Sequence, residues 1–157
     1  MRLQVIAVGR LKLDYARLGC AEYATRLGRH FPLDIQEVRD AHRSKGGDAA
    51  RFRADEARSL LGAVAPGATL VALDERGREW DSRAFADWLA EQRDAGTGTM
   101  AFLIGGPDGL DPEVRERARV VWSLGRLTMP HELARLVLLE QLYRAASILQ
   151  GSPYHRD

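Results

Sequence analysis

The feature that most restricts what this chain can fold into is the regular alternation of short apolar runs with segments of helical periodicity. Residues 3–8, 33–38, 69–73, 100–104 and 120–123 each read as a strand, apolar throughout or nearly so except for 33–38, where apolar and polar residues mix. Between the first two runs, Tyr15, Leu18, Ala21, Tyr23 and Leu27 recur roughly at helical spacing behind a capping residue, Asp14. Residues 48–64 predict a second helix, stopped by Pro66-Gly67, and residues 82–94 a third, capped by Ser82 and ended by Gly96. Asp111-Pro112 opens a short helix with an aspartate cap and proline at the first helical position. Residues 131–150 form the last and longest helix, while 40–47 and 74–79 read as polar loops. Strands alternating with helices imply an α/β layer fold with a mainly parallel sheet. Ligands bind such sheets beyond the carboxyl ends of the strands, which directs attention to the loops after Leu73, Ile104 and Ser123.

Composition narrows the class. A chain of 157 residues, 45% hydrophobic and 29% charged, suits one compact domain with a core of its own. No apolar stretch approaches the ~18 residues of a membrane span. The first residues run straight into a strand pattern without the apolar region of a secretion signal, so cytoplasmic residence is the expectation. Cys20 is the sole cysteine, which excludes an internal disulfide and reads as a small core residue. His30, His42, His131 and His155 have no metal-ligand spacing, and no metal is expected. The net charge of +1 does not by itself announce a nucleic-acid binder. Every cation except Lys12 and Lys45 is arginine, whose planar fork suits phosphate, although an arginine- and alanine-rich chain also follows from genomic base composition.

Four segments carry chemistry. Gly105-Gly106-Pro107-Asp108-Gly109 follows a strand directly, where glycines allow close backbone approach to a ligand or simply a tight turn. It is neither a phosphate-binding P-loop nor a dinucleotide fingerprint. The run 124–131, Leu-Gly-Arg-Leu-Thr-Met-Pro-His, mixes apolar and small residues that suit an adenine pocket, or a connector into the last helix. The tail holds Tyr154, His155 and Arg156, able in turn to stack on a base, move a proton and hold phosphate if the tail folds over a site. Glu140 and Arg144 stand at i, i+4 inside a helix that is otherwise apolar nearly all round. Such a helix is buried on several sides, either as one half of a symmetric dimer interface or as the central helix of a monomer.

Taken in order and spacing, these segments resemble the RlmH family of large-subunit ribosomal RNA methyltransferases, in the SPOUT (α/β-knot) superfamily. The resemblance runs nearly end to end. It rests on residues 3–9, on 69–74, on Phe102-Leu103-Ile104-Gly105-Gly106-Pro107-Asp108-Gly109-Leu110, on Thr128-Met129-Pro130-His131, on Glu140-Gln141-Leu142-Tyr143-Arg144-Ala145 and on Tyr154-His155-Arg156. It implies a single SPOUT methyltransferase domain over residues 1–157, a C-terminal trefoil knot, and a homodimer that completes each site. It also implies S-adenosylmethionine as methyl donor and N3 of a pseudouridine in 23S rRNA, within assembled ribosomes, as acceptor. Carried over by position, the donor pocket comprises Leu73, Gly105 and Gly106, with Leu124, Gly125, Arg126, Leu127, Thr128 and Met129. Gly125 departs from the serine expected there, which removes a hydroxyl contact and leaves the backbone ones.

The catalytic set expected from residue chemistry is His155 as proton acceptor, Tyr154 stacking the base, and Arg144 or Arg156 holding charge. Arg39, Arg43, Lys45, Arg51 and Arg53 are candidates for phosphate contacts, or a solvated basic face. Three rivals stand against this reading. A dinucleotide enzyme would need a glycine fingerprint after the first strand, which residues 8–12 lack. A non-catalytic RNA-binding protein would need no donor pocket. A SPOUT enzyme acting on tRNA differs only in substrate.

Overall fold

The computed structural model describes residues 1–41 and 46–156. Arg43 and Lys45 of the basic loop, with His42, lie outside the described residues. Five strands form one parallel sheet: β1 (Arg2–Val8), β2 (Leu33–Val38), β3 (Thr69–Glu79), β4 (Thr99–Ile104) and β5 (Val120–Ser123), in the order β2-β1-β4-β3-β5. Helices α1 (Asp14–Leu27), α3 (Ser82–Asp94) and α5 (His131–Leu149) share one core cluster, and α2 (Ala49–Ala63) and α4 (Pro112–Arg117) belong to the opposite one. A parallel sheet covered on both faces has no solvent face, which is why its inner strands β1 and β4 read as nearly unbroken apolar runs, whereas β2 at the edge carries Asp34, Gln36 and Glu37. Strand alternation divides them cleanly: Leu3, Val5 and Ala7 of β1 enter the α1/α3/α5 core, and Ile6 and Val8 enter the α2/α4 core.

Polar residues inside this framework close chain ends. Gln4 is buried in β1, yet its amide donates to the Ala63 carbonyl at 3.0 Å and accepts from the Ala65 amide at 3.0 Å, capping the end of α2. Arg135, buried on α5, donates to Glu37 at 2.7 Å and to the Gly9 carbonyl at 2.8 Å, tying the helix to the carboxyl ends of β1 and β2.

The structure corrects the sequence reading in four places. Residues 74–79 belong to β3 rather than to a loop, because Arg78 and Glu79 pair with Trp122 and Ser123 of β5 through their backbone, whatever their side chains. Asp81, not Ser82, caps α3, accepting from the Ala84 amide at 2.7 Å, while the Ser82 hydroxyl donates to Gln141 of α5. Asp14 is the first residue of α1 and caps nothing; Glu132 of α5 serves instead, accepting from the amides of Lys12 at 2.5 Å and Leu13 at 3.1 Å. On α1, Ala16, Cys20 and Leu27 face the core, whereas Tyr15 and Leu18 are exposed. The aspartate cap of α4 is as expected, Asp111 accepting from the Glu113 amide at 2.9 Å.

The pairing of β3 with β5 is irregular in an informative way. Trp122 is the register partner of both Leu73 and Arg78, so β3 leaves β5 after Leu73 and returns to it. Gly77 lies inside that detour. A Cβ on it would stand 2.5 Å from the Val121 carbonyl oxygen and 2.8 Å from the Trp122 carbonyl carbon. Only a residue without a side chain lets the two backbones come this close.

Glu132 yields a pH prediction. The Leu13 amide, with that of Lys12, holds its carboxyl below the ordinary value of 4.5, against the opposing effect of burial. A carboxyl that titrates lower when folded contributes stability in full above the unfolded value and loses it as pH falls through the folded one. Glu132→Gln is therefore expected to cost about 1 kcal/mol at neutral pH, the scale of a lost helix cap. The deficit should shrink below about pH 4.5 in urea melts taken across pH.

Candidate active site

A cavity of about 860 Å³ opens at the carboxyl ends of β3, β4 and β5. The size suits a small-molecule cofactor. Its walls combine apolar side chains from all three strand ends, namely Leu73, Ile104, Trp122 and Leu124, with Met129 from the connector into α5. Trp122 is buried and stacks on Phe85 of α3 with ring centres 4.1 Å apart, which fixes the cavity's inner wall. The glycine loop forms the rim. Gly109 donates from its amide to the Gly106 carbonyl at 2.9 Å, and a Cβ on Gly105 would meet the Gly109 carbonyl at 2.7 Å. The loop thus folds back on itself, and through Gly105, Gly106 and Gly109 it brings backbone to the cavity wall beside Pro107 and Asp108.

Of the residues expected to hold a donor, Leu73, Gly105, Gly106, Leu124, Gly125, Leu127, Thr128 and Met129 all line this cavity. Arg126 is exposed and is not among the lining residues. Gly125 has φ +143°, a conformation that a serine would rarely adopt. The Ser123 hydroxyl donates to the Gly125 carbonyl at 2.8 Å and helps to hold the turn.

Sequence reasoning missed the charged groups on the rim. Asp74 accepts from the Arg76 amide at 2.9 Å and from the Arg115 guanidinium at 3.3 Å, and Arg115 also donates to the Leu110 carbonyl at 2.8 Å. Glu75 accepts from the Thr128 hydroxyl at 3.1 Å, joining the β3 detour to the connector. The one signal for Asp74 was its place as the first polar residue after an apolar strand run.

The expected catalytic residues lie elsewhere. Arg144 is thirteen positions beyond His131 on α5, which at ~1.5 Å per residue places it about 20 Å along the axis from the cavity. There the tail is folded, not frayed. Helix α5 ends in a Schellman motif: Ser152 donates from its amide to the Ser147 carbonyl, Gly151 to that of Ile148, and Gly151 takes φ +66°. The chain then turns back through a single 3₁₀ turn, Pro153–His155.

Glu140 is the hub of this second cluster. Its Oε1 accepts from Arg144 Nη2 at 2.6 Å and from the Tyr154 hydroxyl at 3.0 Å, and its Oε2 from Gln141 at 2.6 Å. The Arg144 guanidinium lies 5.1 Å over the Tyr154 ring, and the hydrogen bond to Glu140 raises its pKa further. Burial first, then the bonds to Tyr23 and Glu140, push the Tyr154 phenol well above its ordinary range, so it stays protonated. His155 Nδ1 is buried with no hydrogen-bond partner among the described residues. The chain therefore brings Tyr154, Arg144 and His155 together, but apart from its own cavity.

Among the described residues no group of three or more His, Cys, Asp or Glu could hold a metal ion, and no helix is long and apolar enough to cross a membrane.

Comparison with known proteins now assigns the chain. The family model described as a predicted SPOUT methyltransferase matches residues 1–155. The protein is 48% identical over 157 residues to the ribosomal RNA large subunit methyltransferase H of Thiobacillus denitrificans, each chain covered in full. This chain belongs to the SPOUT methyltransferases, in the family of ribosomal RNA large subunit methyltransferase H. Relatives of the same name in Gloeobacter violaceus and Anaeromyxobacter are 44% and 46% identical, over 99% of this chain and 99% and 100% of theirs. Among solved structures, a methyltransferase of Bordetella pertussis superposes with a TM-score of 0.55 at 14% identity, covering 92% of this chain and 96% of that one. A methyltransferase of Legionella pneumophila, solved with its bound cofactor SAM, gives 0.51 at 13% identity over 92% of this chain and 66% of that one. At such identities the structures bear on fold alone.

Leu127 separates folding from function at this site. It is 80% exposed although apolar, so it adds little to the core. Leu127→Ser is expected to change stability by less than about 0.5 kcal/mol in thermal melts, so that any loss of ligand affinity in the variant reports a contact rather than unfolding.

Proposed function

We infer that the protein transfers a methyl group from S-adenosylmethionine to N3 of a pseudouridine in 23S rRNA, on assembled ribosomes. The observation that carries this reading is the end-to-end identity of 48% to a ribosomal RNA large subunit methyltransferase H, which spans all three cavity loops and the tail. Membership of the SPOUT methyltransferases supports the choice of donor.

The residues present fit that donor. Leu73, Ile104, Leu124 and Met129 offer an apolar slot for adenine, and Gly105 offers backbone where any side chain would collide with Gly109. Asp74 and Arg115 set opposite charges on the rim, suited to an amino-acid moiety that carries both. When bound, the donor supplies a methyl group already activated by its sulfonium, so the protein's own task is alignment and proton removal. In the balanced step the N3–H and S–CH₃ bonds break, an N3–CH₃ bond forms, and the proton leaves. His155 accepts that proton, Tyr154 stacks on the base, and Arg144, held by Glu140, stabilises the negative charge developing on it.

Two copies make one site. Within a chain the cavity and the tail lie at opposite ends of α5, and Leu133, Val137 and Arg144, on one side of that helix, stay only half-buried. Leu13, Tyr15 and Leu18 near the start of α1 are also exposed. An antiparallel homodimer along α1 and α5 covers these residues and carries each tail to the other subunit's cavity. Membership of the SPOUT methyltransferases supports the trefoil threading that the family resemblance implies. Arg39, Arg51 and Arg53 are available for rRNA phosphates, and the enzyme acts in the cytoplasm, where its ribosomes are.

Labelled S-adenosylmethionine supplied with ribosomes, separated subunits, naked rRNA and tRNA tests the substrate. Label is expected at one pseudouridine of 23S rRNA, strongest on assembled ribosomes; label on tRNA alone would overturn the reading. His155→Ala is expected to lower kcat at saturating donor by about a hundredfold or more with donor affinity unchanged. Mixing His155→Ala chains with Gly105→Ala chains, whose cavity loop cannot close, should restore activity, since one site of each mixed dimer is intact. No restoration in proven mixed dimers would place cavity and tail in the same chain.

A further inference from the structure

Tyr23 belongs to neither the cavity nor the tail, yet it touches the tail at its most constrained atom. Its hydroxyl lies 3.2 Å from that of Tyr154, across 131 positions of sequence. Tyr154 has one hydroxyl proton, and the nearby Glu140 carboxylate, 3.0 Å away, can only accept it. With that proton committed, the contact with Tyr23 requires Tyr23 to donate and Tyr154 to accept. The result is a directed chain of hydrogen bonds from Tyr23 through Tyr154 to Glu140, which also accepts from Arg144 and from Gln141, each at 2.6 Å. The Tyr23 ring is held independently of its hydroxyl, against Tyr143 at 6.2 Å between centres and under the Arg26 guanidinium at 5.7 Å. The hydroxyl thus sits on a fixed support on α1, a helix that otherwise has no part in the tail.

We propose that Tyr23 is a positioning residue for the methyl transfer: its hydroxyl locks Tyr154, and through it the Pro153–His155 turn, in the orientation that presents His155 to the target base. The inference rests on the reading that this tail is catalytic. Covalent connection fixes the tail only at Gly151, and the Schellman motif sets its direction there but not the orientation of a residue four positions on. The Tyr154 contacts supply the missing constraint. Because Tyr23 reports to α1 and Glu140 to α5, the two bonds together hold the tail against both helices rather than one.

Tyr23→Phe is the clean test, since it deletes one oxygen and leaves the ring packing in place. Amide hydrogen exchange of residues 152–156 is expected to accelerate by about five- to tenfold, the scale of one net hydrogen bond. The kcat on ribosomes should fall by a similar factor, while the dissociation constant for S-adenosylhomocysteine and the KM for ribosomes stay within twofold. A purely structural role would shift melting temperature and all constants together. Unchanged exchange in the tail would overturn the proposal. Accelerated exchange with an unchanged kcat would also overturn it, because the tail would then be held by Tyr23 to no catalytic end. His155→Ala in parallel tells the two failures apart: normal turnover there removes the catalytic tail itself, whereas a slow His155→Ala beside a normal Tyr23→Phe removes only the positioning role.

Discussion

The cavity depends on one backbone contact, that of Gly77 with Val121 and Trp122. Here β3 departs from β5 and comes back, and no side chain fits between them. The detour carries Asp74, Glu75 and Arg76 over the carboxyl end of the sheet, where they become the rim of the cavity. Without it, β3 would end at Leu73, and the loops after β4 and β5 would face open solvent. The glycine loop, the connector 124–130 and the charged rim meet because two strands share a boundary that ordinary residues would keep further apart.

Helix α5 organises the remainder. Its buried residues Leu138, Leu139 and Leu142 belong to the same core cluster as β1, β4, α1 and α3. Its first turn supplies both His131 to the cavity and Glu132 to the cap of α1. Its last turns supply Glu140 and Arg144, and its C-terminal motif turns the tail back on them. One helix is thus in contact with the donor end and the acceptor end of the proposed chemistry, and its length keeps them apart within a chain. That separation is the physical argument behind the proposed pairing of two copies.

Much of the candidate site is legible in the sequence. Gly105, Gly106 and most of 124–129 stand out because a glycine cluster and a small-residue run follow apolar strands, and the position rule for parallel sheets aims such loops at a ligand. Arg126, in the middle of the run, could not be separated from its neighbours, since exposure of one residue in an irregular loop has no period. Asp74 and Glu75 were hidden for a different reason: polar residues after a strand look like a loop, whereas here they sit inside a continuing strand and their side chains line a rim. The cluster of Tyr154, Arg144 and Glu140 could be suspected from residue type, but its fourth member, Tyr23, read as one more apolar position on the first helix.

Local pattern along the chain dictates the elements, the two-sided burial of the sheet and the family. These follow from features within a few turns of chain: apolar runs, helical spacing, the aspartate before Pro112, the Pro66-Gly67 stop. The packed fold alone settles which ends are closed by distant residues and where the chemistry sits. Glu132 caps a helix 119 positions away, Tyr23 meets Tyr154 across 131, and β3 leaves β5 and pairs with it again. Such contacts arise when packed layers leave a buried donor or acceptor that must be met by whatever side chain the fold brings near. No local pattern encodes that partner; the geometry of the whole sheet selects it.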